Sequence, residues 1–301
     1  MAETLQTGHR TSQLVRAVQV AHDTPVRQSP NGVHFATFGE TGLADLDLDR
    51  MIEAVPSGIV AALNANTYYF VPLALREANE DIESKPAKAA PAMVASAWTD
   101  EFSDAAICHR NVELPHGKRG VFISTRLMGD RFALSFEFFI NVAHAFVDQA
   151  GVPLAFAELV WQQAVANTRG ETSMDAWESR NLAFGRAANA QAEPTAAKGR
   201  RGNVSFSARQ RAFGAAIDVA AASATSAIDE KEKAAYLEAA FSDAVAIYLL
   251  SLALDFDYSE LREREYPLLT PAALGARLKL VAELFPPNAS YEFAVRYRRR
   301  A

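Results

Sequence analysis

Cysteine is almost absent from this sequence: Cys108 stands alone among 301 residues. A lone thiol excludes an intrachain disulfide and any zinc centre built on a cysteine cluster. It also fits a reducing compartment. Long hydrophobic runs are missing too. The longest, Ala244 to Leu254, falls short of the roughly 20 apolar residues that cross a bilayer as a helix. The opening stretch from Met1 to Gln13 is polar and has no hydrophobic segment of the signal-peptide kind, so the expectation is a cytoplasmic protein with no membrane contact. Positive charge is not in excess. The net charge of −6 argues against a general nucleic-acid coat and leaves only local basic segments to consider. The catalytic signatures are absent as well. No phosphate-binding Walker loop and no dinucleotide Gly-x-Gly-x-x-Gly occurs, no helix carries Glu-x-x-His, and no internal repeat is found.

Apolar residues are plentiful: half of the chain is hydrophobic, enough to bury a large core as one large domain or two moderate ones. Gln13 to His22 and Val33 to Phe38 read as strands around the turn Ser29-Pro30-Asn31-Gly32. Ile59 to Ile82 reads as a helix kinked at Pro72, and Glu83 to Pro91 as a linker. Met93 to Cys108 fits a short helix, His109 to Gly120 a loop, and Val121 to Arg126 a strand. Asp130 and Gly151 bracket a long helix as N-cap and C′ residue. Pro153 opens another helix, reaching about Thr168. Since only Gly151 and Val152 separate these two, an antiparallel hairpin is expected. Further helices are expected from Ser173, from about Ala208 to Ile228, from Glu230 to Asp257 and from Pro271 to Phe285, with Tyr291 to Tyr297 as a terminal strand. The fold expected from these elements is mainly α. It has a bundle-like helical core and a small β element from the terminal strands, with α+β and a larger sheet as the alternative. The expected division is a β-containing region over 1–58, a helical core over 59–285 and a strand with a basic tail over 286–301.

The feature richest in chemistry is a polar stripe on the apolar helix after Asp130. At about 100° per residue, Asp130, Glu137, Asn141, His144 and Asp148 fall within an arc of roughly 60°. Phenylalanines and aliphatic residues fill the other faces. The alternation from Phe132 to Ile140 also fits a strand, and it fails after Ile140. Polar groups among so many apolar ones require partners. In the expected hairpin, Glu158 lies near His144 and Gln162 near Asn141. Carboxylates and an imidazole inside a bundle are the ingredients of an iron or manganese site. Glu137, His144 and Glu158 would be its ligands, with Asp243 as a possible fourth and Asp218 or Glu238 as further donors. The plainer alternative is a structural network, with Asn141 and His144 fixing helix register and Glu137 paired to an arginine such as Arg126 or Arg180. A third is acid–base chemistry by Glu137 and His144 without metal.

Other segments carry weaker signals. Cys108 beside His109 puts a thiol next to an imidazole, but adjacent residues of an extended chain point apart. The basic, glycine-containing segments around Lys118 and Arg119 and around Arg200 and Arg201 could hold an anion. The tail Arg298, Arg299 and Arg300, with Arg209, Arg211 and Arg296, could extend that surface toward nucleic acid or an acidic protein. Alanine-rich helices equally allow a homo-oligomer. Two functional expectations follow. One is a non-enzymatic binding or assembly component that holds a protein or nucleic-acid partner through helical faces and basic loops. The other is a helical iron or manganese protein with a carboxylate–histidine site, doing redox or hydrolytic chemistry.

Overall fold

The computed structural model describes residues 14–76, 91–186, 228–261 and 266–295. It is a mixed α/β protein, not a mainly α one. In chain order the elements are β1 (Leu14–Arg16), α1 (Ala17–Asp23), β2 (Arg27–Gln28), β3 (His34–Thr37), α2 (Asp45–Glu53), α3 (Ser57–Val60), β4 (Asn66–Val71), β5 (Leu73–Leu75), β6 (Met93–Ala95), β7 (Ala106–Ile107), β8 (His109–Leu114) and β9 (Lys118–Ser124). The helices α4 (Arg131–Ala150), α5 (Leu154–Val165), α6 (Met174–Ala183), α7 (Glu230–Ala253) and α8 (Pro271–Leu284) follow. Two sheets form, in the orders β1-β6-β5-β7 and β2-β3-β4-β9-β8. In the larger one, β3, β4 and β9 run parallel, while β2 and β8 pair antiparallel at the edges.

The sheets occupy segments whose sequence reads otherwise. Asn66 to Val71 is buried at every position. A strand covered on both faces shows a continuous apolar run, without the alternation that separates strand from helix. Pro72 does not kink a helix. It marks the place where the chain leaves the five-stranded sheet as β4 and enters the four-stranded one as β5. Having no N–H, proline suits such a break in a ladder. His109 to Leu114 is not a loop but the edge strand β8, in register with β9 from His109–Ile123 to Leu114–Lys118. Met93 to Cys108 forms β6, a 3-10 turn and β7 in place of a helix. The described part of the expected first strand, Leu14 to His22, divides into β1 and α1, so the turn at Ser29 joins β2 to β3. Residues 291–295 are not in a strand. The expected helix from Ala208 and most of the linker after Glu83 lie outside the described residues.

Alternation assigns the faces of the parallel strands. Phe35, Tyr68, Phe70, Val121 and Ile123 join the large core with Phe138, Phe139 and Val142 of α4 and the apolar residues of α7. Ala36, Tyr69, Val71 and Phe122 face the other way, onto Ala17, Val20 and Val94. Tyr68 meets Phe138 edge-on at 5.1 Å, and Tyr69 stacks on Phe122 at 4.6 Å. The large core runs from Val33 to Val281, and the expected boundary after residue 58 falls inside α3.

The helix termini follow their sequence signals. Asp130 accepts from Ala133 N, Ser173 from Ala176 N, and Asp229 from Lys231 N and Glu232 N. Gly151 ends α4 with φ 69°, a conformation that glycine adopts without strain. The hairpin does not form. The packed partner of α4 is α7, and α5 packs on α7 and α8 through its one buried stripe, Phe156, Val160 and Ala164. Phe156 lies 4.7 Å from Phe241 of α7. Helix α7 is long and apolar enough to cross a membrane by length and composition, with hydropathy 1.4, but 67% of that window is buried. It is a core helix of the fold, packed against α4, α6 and α8.

Candidate functional site

The carboxyl ends of β3, β4 and β9 lie side by side, with Val71 opposite Ser124 and Thr37 opposite Phe70. The chain beyond each strand must cross this edge, and in parallel sheets that edge is where ligands bind. After β3 the backbone rises through Phe38, whose N–H donates to Phe70 O, and Glu40, whose N–H donates to Ser96 O. It then enters the loop Thr41 to Ala44 that starts α2. After β9, Thr125 N–H donates to Val71 O and Arg126 N–H to Pro72 O. Thr125 Oγ1 donates to Thr41 O at 2.8 Å, tying the two loops together.

Between the loops and the first turns of α2 and α4 lies a crevice of about 490 Å³. Leu48, Met51, Met128 and Leu134 supply apolar walls, and Trp98, 37% exposed, is part of the lining. Its charged groups are Asp47, Arg126, Asp130 and Arg131. Arg131 Nη1 reaches Asp47 Oδ1 at 2.9 Å, linking α4 to α2, while Asp130 caps α4. Arg126 forms no ion pair with any described residue, and its guanidinium lies over Gly42. Gly42 has φ +70°, and a Cβ there would collide with Arg126 Nη1. The backbone conformation favours glycine here, and a larger residue would also push the arginine tip aside.

The polar stripe is a helix face, but its members have separate fates. Glu137 and Asn141 are buried, and His144 and Asp148 are exposed. Glu137 Oε1 accepts from His109 Nδ1 at 2.5 Å and from Asn141 Nδ2 at 3.1 Å. An ionised carboxylate only accepts, so the imidazole must carry its proton on Nδ1. This cluster clamps the edge strand β8 to α4. Glu137 therefore pairs with a histidine and not with Arg126 or Arg180. The pKa of His144 is lowered, chiefly by the packing around its ring, against the opposing pull of Asp148 and Asp175. Glu158 and Gln162 are exposed on α5. Asp243 is on α7, where Thr172 Oγ1 donates to its Oδ2 at 2.7 Å. Glu238 is exposed on the same helix, and Asp218 lies outside the described residues. The structure thus does not bring Glu137, His144, Glu158 and Asp243 to one point. Among the described residues no group of three or more His, Cys, Asp or Glu side chains is arranged to hold a metal ion.

Burial, and after it the charge of Glu137, push the Cys108 thiol up to about 11. It stays protonated at neutral pH and is a poor nucleophile. Lys118 and Arg119 open β9 at the end of the sheet opposite the crevice, and Arg119 faces Asp148 at 3.7 Å. Arg200, Arg201, Arg209, Arg211, Arg296, Arg298, Arg299 and Arg300 lie outside the described residues.

A second polar cluster was not foreseen. Glu171, fully buried, receives Arg180 Nη1 and Arg277 Nη1, each at 3.0 Å, and Tyr236 Oη at 2.7 Å. Arg277 Nε also donates to Gln163 Oε1 at 2.8 Å. These contacts join α5, α6, α7 and α8 around one carboxylate. Burial pushes the pKa of Arg277 down, but the charge of Glu171 together with Tyr236 and the hydrogen bonds to both outweighs it and leaves it raised.

No protein-family model, no curated protein and no solved structure matches this chain.

Proposed function

We propose that this protein is a non-enzymatic binding component that takes a small organic molecule into the crevice at the carboxyl ends of β3, β4 and β9. The observation that carries this reading is Arg126: an exposed guanidinium without an ion-pair partner among the described residues, lying over Gly42 at the rim of a crevice of about 490 Å³. Small-molecule sites are typically concave, largely apolar and of about 300–1,000 Å³, with a few placed polar groups. Binding is favoured over chemistry because the crevice is lined by neither histidine nor cysteine, and because Asp47 and Asp130 are already engaged. The reading keeps the binding class expected from the sequence and moves the surface from helical faces and basic loops to this crevice.

A crystallographic fragment soak tests it. Fragments should collect in the crevice, against Trp98 and Arg126. Hits confined to other surfaces, with the crevice filled by water alone, would overturn the reading.

A further inference from the structure

We infer that the ligand is an amphipathic monoanion, an aromatic carboxylate, with its carboxylate on Arg126 and its ring against Trp98. This rests on the crevice being the binding site. The charges of the cavity set the ligand's charge. Arg131 is neutralised by Asp47 at 2.9 Å, and Asp130 accepts from Ala133 N as the cap of α4. Arg126, exposed at the rim, has no ion-pair partner among the described residues, while the two aspartates stand on the same rim. The four charges sum to zero, so every negative charge a ligand brings is excess, and a monoanion seated on Arg126 brings the least. A phosphate dianion brings one charge too many next to two carboxylates, where like charges repel.

The shape of the binding group points the same way. A guanidinium offers parallel N–H donors that match the two oxygens of a carboxylate. The remaining lining is apolar. Leu48 and Met51 of α2, Leu134 of α4 and Met128 line the crevice together with the flat indole of Trp98. A planar hydrocarbon body gains stacking area on the indole and adaptable contacts with the thioethers. Gly42 leaves the space that the Arg126 guanidinium occupies over the loop.

Isothermal titration calorimetry with three probes of one shape tests the inference: 2-naphthoate, its neutral amide 2-naphthamide, and the dianion 2-naphthyl phosphate. The intact chain should bind naphthoate at least 10-fold more tightly than either of the others. Arg126→Gln should abolish that preference and bring naphthoate down to the amide. Trp98→Leu should weaken naphthoate and amide by the same factor. Arg119→Gln, at the far end of the sheet, should change nothing. Matching circular dichroism melts of the variants exclude unfolding as the cause. Equal affinity for naphthoate and naphthamide, tighter binding of the phosphate, or a preference that survives Arg126→Gln overturns the monoanion. If the amide still binds and Trp98→Leu weakens it, the crevice stands as a site and only the ligand class falls. If none of the three probes binds, the aromatic carboxylate is refuted, and the fragment soak decides separately whether the crevice binds anything.

Discussion

Replacing Glu171 by glutamine should be the most damaging isosteric change in the molecule. Glu171 and Arg277 have no exposed surface and Arg180 only 3%. Among the described residues the two guanidiniums share this one carboxylate directly. Breaking a buried ion pair by removing one partner costs about 3–5 kcal/mol, because the remaining charge stays desolvated. Glutamine retains a carbonyl that accepts one of the bonds, which places the expected loss at the lower end, about 3 kcal/mol. At roughly 2 °C per kcal/mol for a chain of this size, the melting temperature should fall by about 6 °C. Urea unfolding followed by circular dichroism at neutral pH measures the same quantity through the midpoint. The sharper check is the double variant Glu171→Gln with Arg277→Met. Methionine removes one of the two uncompensated charges and fills the space with an apolar chain, so the pair should be more stable than Glu171→Gln alone. A loss below about 1 kcal/mol for Glu171→Gln, or a double variant whose losses simply add, would refute the reasoning. Either result would mean that the guanidiniums are solvated or balanced elsewhere.

Three further outcomes follow from single groups. Burial holds the Asp243 carboxyl up to about 6 from an ordinary 3.8. The folded chain therefore keeps a proton that the unfolded chain releases, and stability is lost as pH rises from about 4 to about 6. Asp243→Asn should flatten that slope in denaturation profiles and add up to about 3 kcal/mol at pH 7. With its thiol pushed up to about 11, Cys108 should be alkylated by iodoacetamide at pH 8 at least about 100-fold more slowly than a free cysteine; alkylation at a free thiol's rate would contradict its burial. Asp130→Ala removes the side-chain cap of α4 and should cost about 1 kcal/mol in thermal or urea unfolding, restored by Asp130→Ser.

The helical part of the fold was legible because its signals are local. Asp130, Ser173 and Asp229 sit one residue before the helices they cap, Pro271 stands at the first position of α8, and Gly151 closes α4. The sheets were not legible, because their signals depend on what covers them. Asn66 to Val71 is buried on both faces, so the alternation that marks a half-exposed strand is missing. His109 to Leu114 is polar because it is an edge, with β9 on one side only. Both departures have the same origin. Hydrophobic periodicity reports the environment of a strand, and that environment is made by α1, α4 and α7, elements far away in sequence. The failed α4–α5 hairpin is similar. A two-residue connection limits how far apart two helices start, but the buried stripes decide which faces meet, and that of α5 turns to α7 and α8.

The site illustrates the same dependence on context. Glu137 and Asn141 stood out correctly as buried polar groups, yet their partner is His109, on a strand that reads as a loop. Once β8 is known to pair His109 with Ile123, both side chains share the face that packs on α4, and the contact with Glu137 follows. The crevice residues lacked a distinguishing signal. Arg126, Trp98 and Asp47 are ordinary surface types, and only the parallel order of β3, β4 and β9 turns the loops after Thr37 and Ser124 into neighbours. What the sequence did contain was the glycine pair Gly39 and Gly42, directly between a strand and a helix. A strand, a glycine-bearing loop and a helix start in that order are what a binding edge of a parallel sheet requires, because the loop backbone must turn tightly and leave space above it. The position of Arg126 over Gly42 thus ties a local feature of the sequence to the ligand charge proposed for the crevice.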